Sequence, residues 1–154
     1  MNPNAELIKA FYTAFRTRNA DGMVACYHPD VVFSDPVFGT LRGPEATSMW
    51  RTLCERGVDL KIEFGEVQTD EHMGSVHWEA WYTFSKSRRR VHNVIEASFV
   101  FQEGKIIQHA DRFNLWRWSG MALGPLGLFL GWVPFVQAGI RKEARRGLDT
   151  FMQK

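Results

Sequence analysis

The sequence predicts an α+β domain: three N-terminal helices gathered on one face of a bent sheet, with a helical extension at the C-terminus. Three observations carry this expectation. Apolar residues recur at helical spacing through the first third of the chain. From Val58 to Trp118 the texture changes to long strand-forming runs separated by turn signals. Beyond residue 117, an uncharged stretch broken by glycine and proline leads into a basic amphipathic segment. At 154 residues one domain is expected, with 1–117 as its body and 118–154 packed on it as an extension.

Taken in order, Asn4 is a candidate N-cap, and Leu7, Ile8, Phe11, Tyr12 and Phe15 fall on one face of a first helix. A short second helix follows Asn19-Ala20-Asp21 and is expected to carry Met23, Val24 and Tyr27 before stopping at His28-Pro29. Residues 31–35 form a short strand ending at Pro36, and 39–43 read as a turn region. Pro44 opens a third helix at a first-turn position, Glu45 suits its positive end, and Gly57 closes it. Strands are then expected over 59–67, 72–84, 91–101 and 105–116, with Glu103-Gly104 as a two-residue hairpin turn between the last two. The tail, 138–152, reads as an amphipathic helix with Ile140, Ala144, Leu148, Phe151 and Met152 on its apolar side.

Composition narrows the function classes. Hydrophobic residues at 45% and charged residues at 23% exclude an intrinsically disordered chain. The net charge is +2, but residues 141–154 hold five basic side chains against two acidic ones, so the rest of the chain is slightly acidic. A nucleic-acid footprint spread over the domain is not supported. Cys26 and Cys54 cannot build a disulfide framework and read as buried reduced thiols, and the N-terminus lacks an apolar run, so a cytoplasmic protein is expected. Residues 118–140 carry no charge and contain Gly120-x-x-x-Gly124 and Gly127-x-x-x-Gly131. Their glycines, with Pro125 and Pro134, break the run, so a lid or packing segment is favoured over membrane contact or a membrane span.

Three places could carry chemistry. Asp35 ends an apolar strand among Phe33, Val37 and Phe38, where desolvation would raise its pKa toward that of a general base; on spacing alone, acceptance of hydrogen bonds from the turn amides that follow is favoured. Glu96 lies mid-strand, where an acidic residue faces either water or a polar cavity. His109 and Asp111 share one strand face, as an oriented acid/base pair or as a surface ion pair, the latter slightly favoured. There is no HExxH, no close Cys/His cluster and no phosphate-binding glycine loop, so neither metal nor cofactor is expected. Arg88-Arg89-Arg90 reads as a solvated hairpin charge run, with an anion site as the alternative. The aromatic content of 14% supplies rings for a core or an apolar pocket.

These residues also carry a resemblance. Ala20-Asp21-Gly22, Tyr27-His28-Pro29-Asp30, Phe33-Ser34-Asp35-Pro36, Leu41-Arg42-Gly43-Pro44-Glu45 and the later hairpin from Asn93-Val94-Ile95-Glu96 through Ile107 resemble the SnoaL-like and ketosteroid-isomerase-like proteins of the nuclear transport factor 2-like superfamily. The resemblance covers roughly residues 5–117. It implies a cone: a strongly curved sheet wrapping three helices around one deep apolar pocket, in proteins that often pair as dimers. It places Asp35 as the base that moves a proton beside a carbonyl, and Glu96 as the protonated acid that donates to the enolate oxygen. The partner tyrosine of that oxygen site falls near Phe11, which has no hydroxyl. His109 and Asp111 fall where related cyclases and epoxide hydrolases place acid/base groups. Phe11, Tyr12, Phe33, Trp50, Trp78, Trp81 and Trp116 are the expected pocket lining. The resulting expectation is a cofactor-independent isomerase, cyclase or hydrolase acting on a small apolar molecule; a non-catalytic ligand-binding or protein-interaction module is the alternative. A homodimer through the sheet is expected.

Overall fold

The computed structural model describes residues 2–84, 86–125, 127 and 134–153. Helix α1 (Pro3–Arg16) is capped by Asn2, whose side chain accepts from the Asn4 N–H, so the cap lies two residues before the expected one. The Asn4 amide is used otherwise: it donates to the carbonyls of Asp70 and Glu71, tying the helix start to a distant turn. Ile8, Phe11, Tyr12 and Phe15 form the buried stripe. Helix α2 (Ala20–Val24) is capped by Asn19 and crosses α1 closely, since a Cβ on Gly22 would lie 2.9 Å from that of Ala14.

Tyr27 does not belong to α2, as the apolar pattern suggests, but opens strand β1 (Tyr27–Asp35), where it pairs with Ile106. The expected turn at 39–43 is also a strand. β2 (Gly39–Arg42) pairs antiparallel with β1 through the Asp35–Gly39 register, leaving 36–38 to make the turn. Gly43, at φ 51°, then redirects the chain into α3 (Pro44–Arg56).

The strands β3 (Lys61–Thr69), β4 (Met73–Phe84), β5 (Arg89–Gln102) and β6 (Lys105–Arg112) form an antiparallel meander. The tight turn between the last two has Glu103 and Gly104 both at positive φ, as a two-residue hairpin demands. β1 joins β6 in parallel, which gives a six-stranded mixed sheet ordered β2-β1-β6-β5-β4-β3. Register shifts in β1, β3 and β5–β6 bend and twist the sheet locally.

The last long strand stops at Arg112, short of the expected 116, because Asn114 caps a helix: its side chain accepts from the Arg117 N–H at the start of α4 (Leu115–Leu123). Gly124, at φ 78°, ends that helix. The final helix, α5 (Pro134–Met152), begins earlier than expected and packs against α3. The second glycine pattern of the uncharged stretch includes Gly131, which lies outside the described residues. Among the described residues no helix is long and apolar enough to cross a membrane.

The alternate residues of β5 from Val91 to Phe101 face the helices. Phe11, Phe15, Phe33, Trp50 and Phe99 fill the closed end of the curl, each at most 2% exposed. Full burial of such a side chain stabilises by roughly 1.5–3 kcal/mol, so this end is the rigid floor on which the site is built. Cys26 and Cys54 are buried and unbridged.

Candidate functional site

Toward the open end, the sheet and helices diverge around a cavity of about 830 Å³. Trp50, Trp78, Phe113 and Trp118 are among its apolar walls, and α5 covers it with residues that include Ile140 and Leu148. Leu148 is 2% exposed and joins the main core, so the C-terminal helix is part of the cavity and not an appendage. The helix is held by Arg145 to Glu45, Lys86 to Glu143, and Arg141 Nε to the Pro36 carbonyl.

Asp35, Tyr82, Asn93 and Asp111 interrupt the apolar lining, and Thr52, Arg56, Thr83, Lys86, Lys142 and Glu143 also border the cavity. Asp35 Oδ1 accepts from the backbone N–H groups of Val37 at 2.9 Å and Phe38 at 2.6 Å. The turn role and the cavity role therefore coexist on one carboxylate, and Oδ2 bonds to no described residue. Burial pushes the Asp35 pKa up most strongly and the charge of nearby Asp111 adds to it; the two amide bonds hold it down only partly, leaving it at about 7.

Asp111 and His109 are not the surface pair that their spacing favoured. β6 turns both into the molecule, where they are 5% and 1% exposed. His109 Nε2 lies 2.9 Å from Asp111 Oδ1, and its Nδ1 lies 2.7 Å from the Tyr27 hydroxyl. That hydroxyl accepts from Trp50 Nε1 at 2.8 Å, so its own proton goes to His109 Nδ1, and Nε2–H then donates to the carboxylate. Trp78 Nε1 adds a second donor to Asp111 Oδ1 at 3.3 Å. A buried relay thus runs from the floor to a carboxylate at the cavity wall.

Glu96 lies elsewhere. Ile95 and Ala97 point inward, and strand parity sends Glu96 to the outer face, where it pairs with His77. His77 also meets Glu79, which meets His92, while Trp81 stacks on His92 with ring centroids 4.5 Å apart. Trp81 is therefore an outer-face residue and not pocket lining. Trp116, at 44% exposure, projects from α4 into solvent. Phe11, Tyr12 and Phe33 are packed in the floor beneath the cavity, fully buried among aromatic rings. Of the expected lining, Trp50 and Trp78 reach the cavity. Of the arginine run, Arg89 donates to the Met121 carbonyl and Arg90 pairs with Asp59, so these two are engaged within the chain.

Asn93, Tyr82 and Trp118 escape a sequence reading that looks for charged groups. Counting back by twos from Ile95, Ala97 and Phe99 would have placed Asn93 on the inner face. Tyr82 accepts from Trp118 Nε1 at 2.8 Å, and burial raises its pKa to about 12, so it remains a hydroxyl donor. Among the described residues no group of three or more His, Cys, Asp or Glu side chains is placed to hold a metal.

A curled mixed sheet around helices, with a polar-studded apolar cavity at its wide end, defines the nuclear transport factor 2-like, ketosteroid-isomerase-like class of fold. Within it, the chain belongs to the SnoaL-like family, whose domain model matches residues 8–109. A search of curated protein sequences finds no match. Similar solved structures include a hypothetical protein with a ketosteroid isomerase-like fold from Catenulispora acidiphila in complex with trimethylamine, at 13% identity and TM-score 0.66, over 78% of this chain and 94% of that one. An LEH-like epoxide hydrolase of M. tuberculosis aligns at 18% identity and TM-score 0.63, over 84% and 96%. TerC, co-crystallised with polyporic acid, aligns at 22% identity and TM-score 0.62, over 73% and 92%. At these identities the likeness is one of fold.

Proposed function

We propose that this protein is a cofactor-independent acid–base enzyme, of the isomerase, cyclase or hydrolase kind, acting on a small, uncharged, largely apolar molecule. Asp35 is the base. The observation that carries this reading is a cavity-wall carboxylate with one oxygen committed to the turn, the other without a partner among the described residues, and a pKa of about 7. A base poised there is half ionised at neutral pH and regains its proton readily. Asp111, oriented by His109, is the second acid/base group. The similarity in fold to an LEH-like epoxide hydrolase supports the class and not a particular substrate.

The test is a carboxyl ¹³C NMR titration of the protein, assigned with Asp35→Asn. A midpoint near 7 for Asp35 is expected; titration near its ordinary value of 3.8 would remove the physical basis of the proposal.

One observation favours the alternative of a binding module. The oxygen site implied by the resemblance has lost both members, since Phe11 is buried without a hydroxyl and Glu96 faces outward. Recovery of an unaltered apolar ligand by mass spectrometry, combined with normal titration of Asp35, would favour that alternative. We further propose that two chains pair through the outer sheet face that carries Trp81, His92 and Glu96. Sedimentation at twice the mass of one chain, reduced to one by Trp81→Glu, is the expected result.

A further inference from the structure

The mouth of the cavity differs from its walls. Leu53, Arg56, Lys86, Leu123 and Lys142 all border the cavity and are all exposed, so they stand where it meets solvent. Contacts within the chain join them into one rim. Beyond the end of α3, Asp59 accepts from Thr83, and Thr83 leads into the turn that holds Lys86. From that turn Lys86 donates to Glu143, beside Lys142 on α5, and Ser87 donates to the Ala122 carbonyl, beside Leu123. Val58, two residues past α3, is 76% exposed. The charges of this rim do not cancel. Asp59 is met by Arg90 and Glu143 by Lys86, which leaves Arg56, Arg88 and Lys142 without an acidic partner among the described residues. Single exposed apolar residues are ordinary, but Leu53, Val58 and Leu123 are set among unneutralised cations around the opening of an apolar cavity.

We propose that this rim docks the protein on an anionic lipid bilayer surface, with the mouth of the cavity facing the lipid. Exposed apolar side chains gain by entering the headgroup region, and basic side chains beside them gain from the negative surface potential. A soluble anion would answer the cations and leave the apolar residues in water; a bilayer surface answers both. Docking in this orientation gives an apolar ligand a route into the cavity that does not cross water, where such a molecule is least soluble. Lys105 marks the other end of the molecule. β5 runs from Arg89, next to the rim, to Gln102, and its 14 residues place Lys105 roughly 40 Å away along the strand. The inference goes beyond the functional proposal and does not depend on Asp35 acting as a base.

The experiment floats the full chain with vesicles of phosphatidylcholine alone and of phosphatidylcholine with a quarter phosphatidylserine. The chain should partition onto the mixed vesicles and far less onto the neutral ones. Raising the salt from about 0.1 M to 1 M shortens the screening length from about 10 Å to 3 Å and should release most of the bound protein. Both readouts use the unaltered chain and need no variant. Arg56→Glu and Lys142→Glu should each lower partitioning at least about fivefold, the effect of one basic residue near an anionic surface. Lys105→Glu makes the same change of charge and should lower it less than about twofold. Val58→Ser should weaken binding several-fold without altering its salt dependence. Thermal midpoints confirm that each variant is folded. No binding to the mixed vesicles at low salt would overturn the inference, as would equal binding to phosphatidylcholine alone. So would equal losses in Lys105→Glu and Lys142→Glu, which would mean diffuse adsorption, or unchanged binding of Val58→Ser, which would mean a site for anions only. Normal titration of Asp35 would end the acid–base proposal and leave this one standing.

Discussion

Tyr27 joins two indispensable bonds: it receives the indole N–H of Trp50 and gives its own proton to His109. Tyr27→Phe removes one oxygen and orphans two buried groups at once. The expected loss is about 1–3 kcal/mol, measured from the urea midpoint at unchanged slope. An unaltered midpoint would mean that the relay does not help hold the floor together. Side-chain identity made Asp35 legible as a candidate, because an acid closing an apolar strand is exposed to desolvation, although the turn before Gly39 offers it a structural use as well. Glu96 misled for a related reason. A charged residue within an apolar run attracts attention, but its strand has period two, and the count from Ile95 and Ala97 sends it outward. Asn93 stayed unremarked because an amide carries no charge to stand out, although the same count puts it inside.

Helix α5 shows how a segment changes meaning once its neighbours are known. In sequence it is a basic amphipathic tail; in the fold its apolar side closes the cavity, and Leu148 anchors it in the main core. Leu148→Ala should destabilise by about 2–5 kcal/mol, the usual range for a buried leucine. It should also speed dissociation of a bound apolar probe in stopped-flow fluorescence. Destabilisation without faster release would show that the helix braces the fold without gating the cavity. Tyr27 and Leu115-Trp116 mark the other element-scale differences. Their apolar character suits helix or strand equally, and the decision came from the pairing of Tyr27 with Ile106 and the cap supplied by Asn114.

At the scale of the molecule, pH should act with a definite sign. Asp35 is held above its ordinary value of 3.8, at about 7, so its contribution is fully present below 3.8 and is lost as pH rises through 7. His77 is raised from 6.5 chiefly by its hydrogen bond to Glu96 and next by that to Glu79, so it too loses stabilisation as pH rises. Asp59 and Glu79 are lowered from 3.8 and 4.5 by bonds to Thr83 and to His92 and His77, and they lose theirs as pH falls. Stability should therefore peak on the acid side of neutrality and decline from pH 6 to 9. Denaturant midpoints across that window test it, and the decline should shrink in Asp35→Asn. A rise toward pH 9 would contradict the assignment. Local pattern alone determined the α+β class, the helical stripe of α1, the hairpin at Glu103-Gly104 and the singling out of Asp35, because each depends on neighbours a few residues away. The parallel seating of β1 on β6 and the burial of His109, Asp111 and Asn93 were decided only by tertiary structure. Strand parity leaves two faces equivalent until packing chooses one, and the charge cost of a buried group depends on residues far away in the chain.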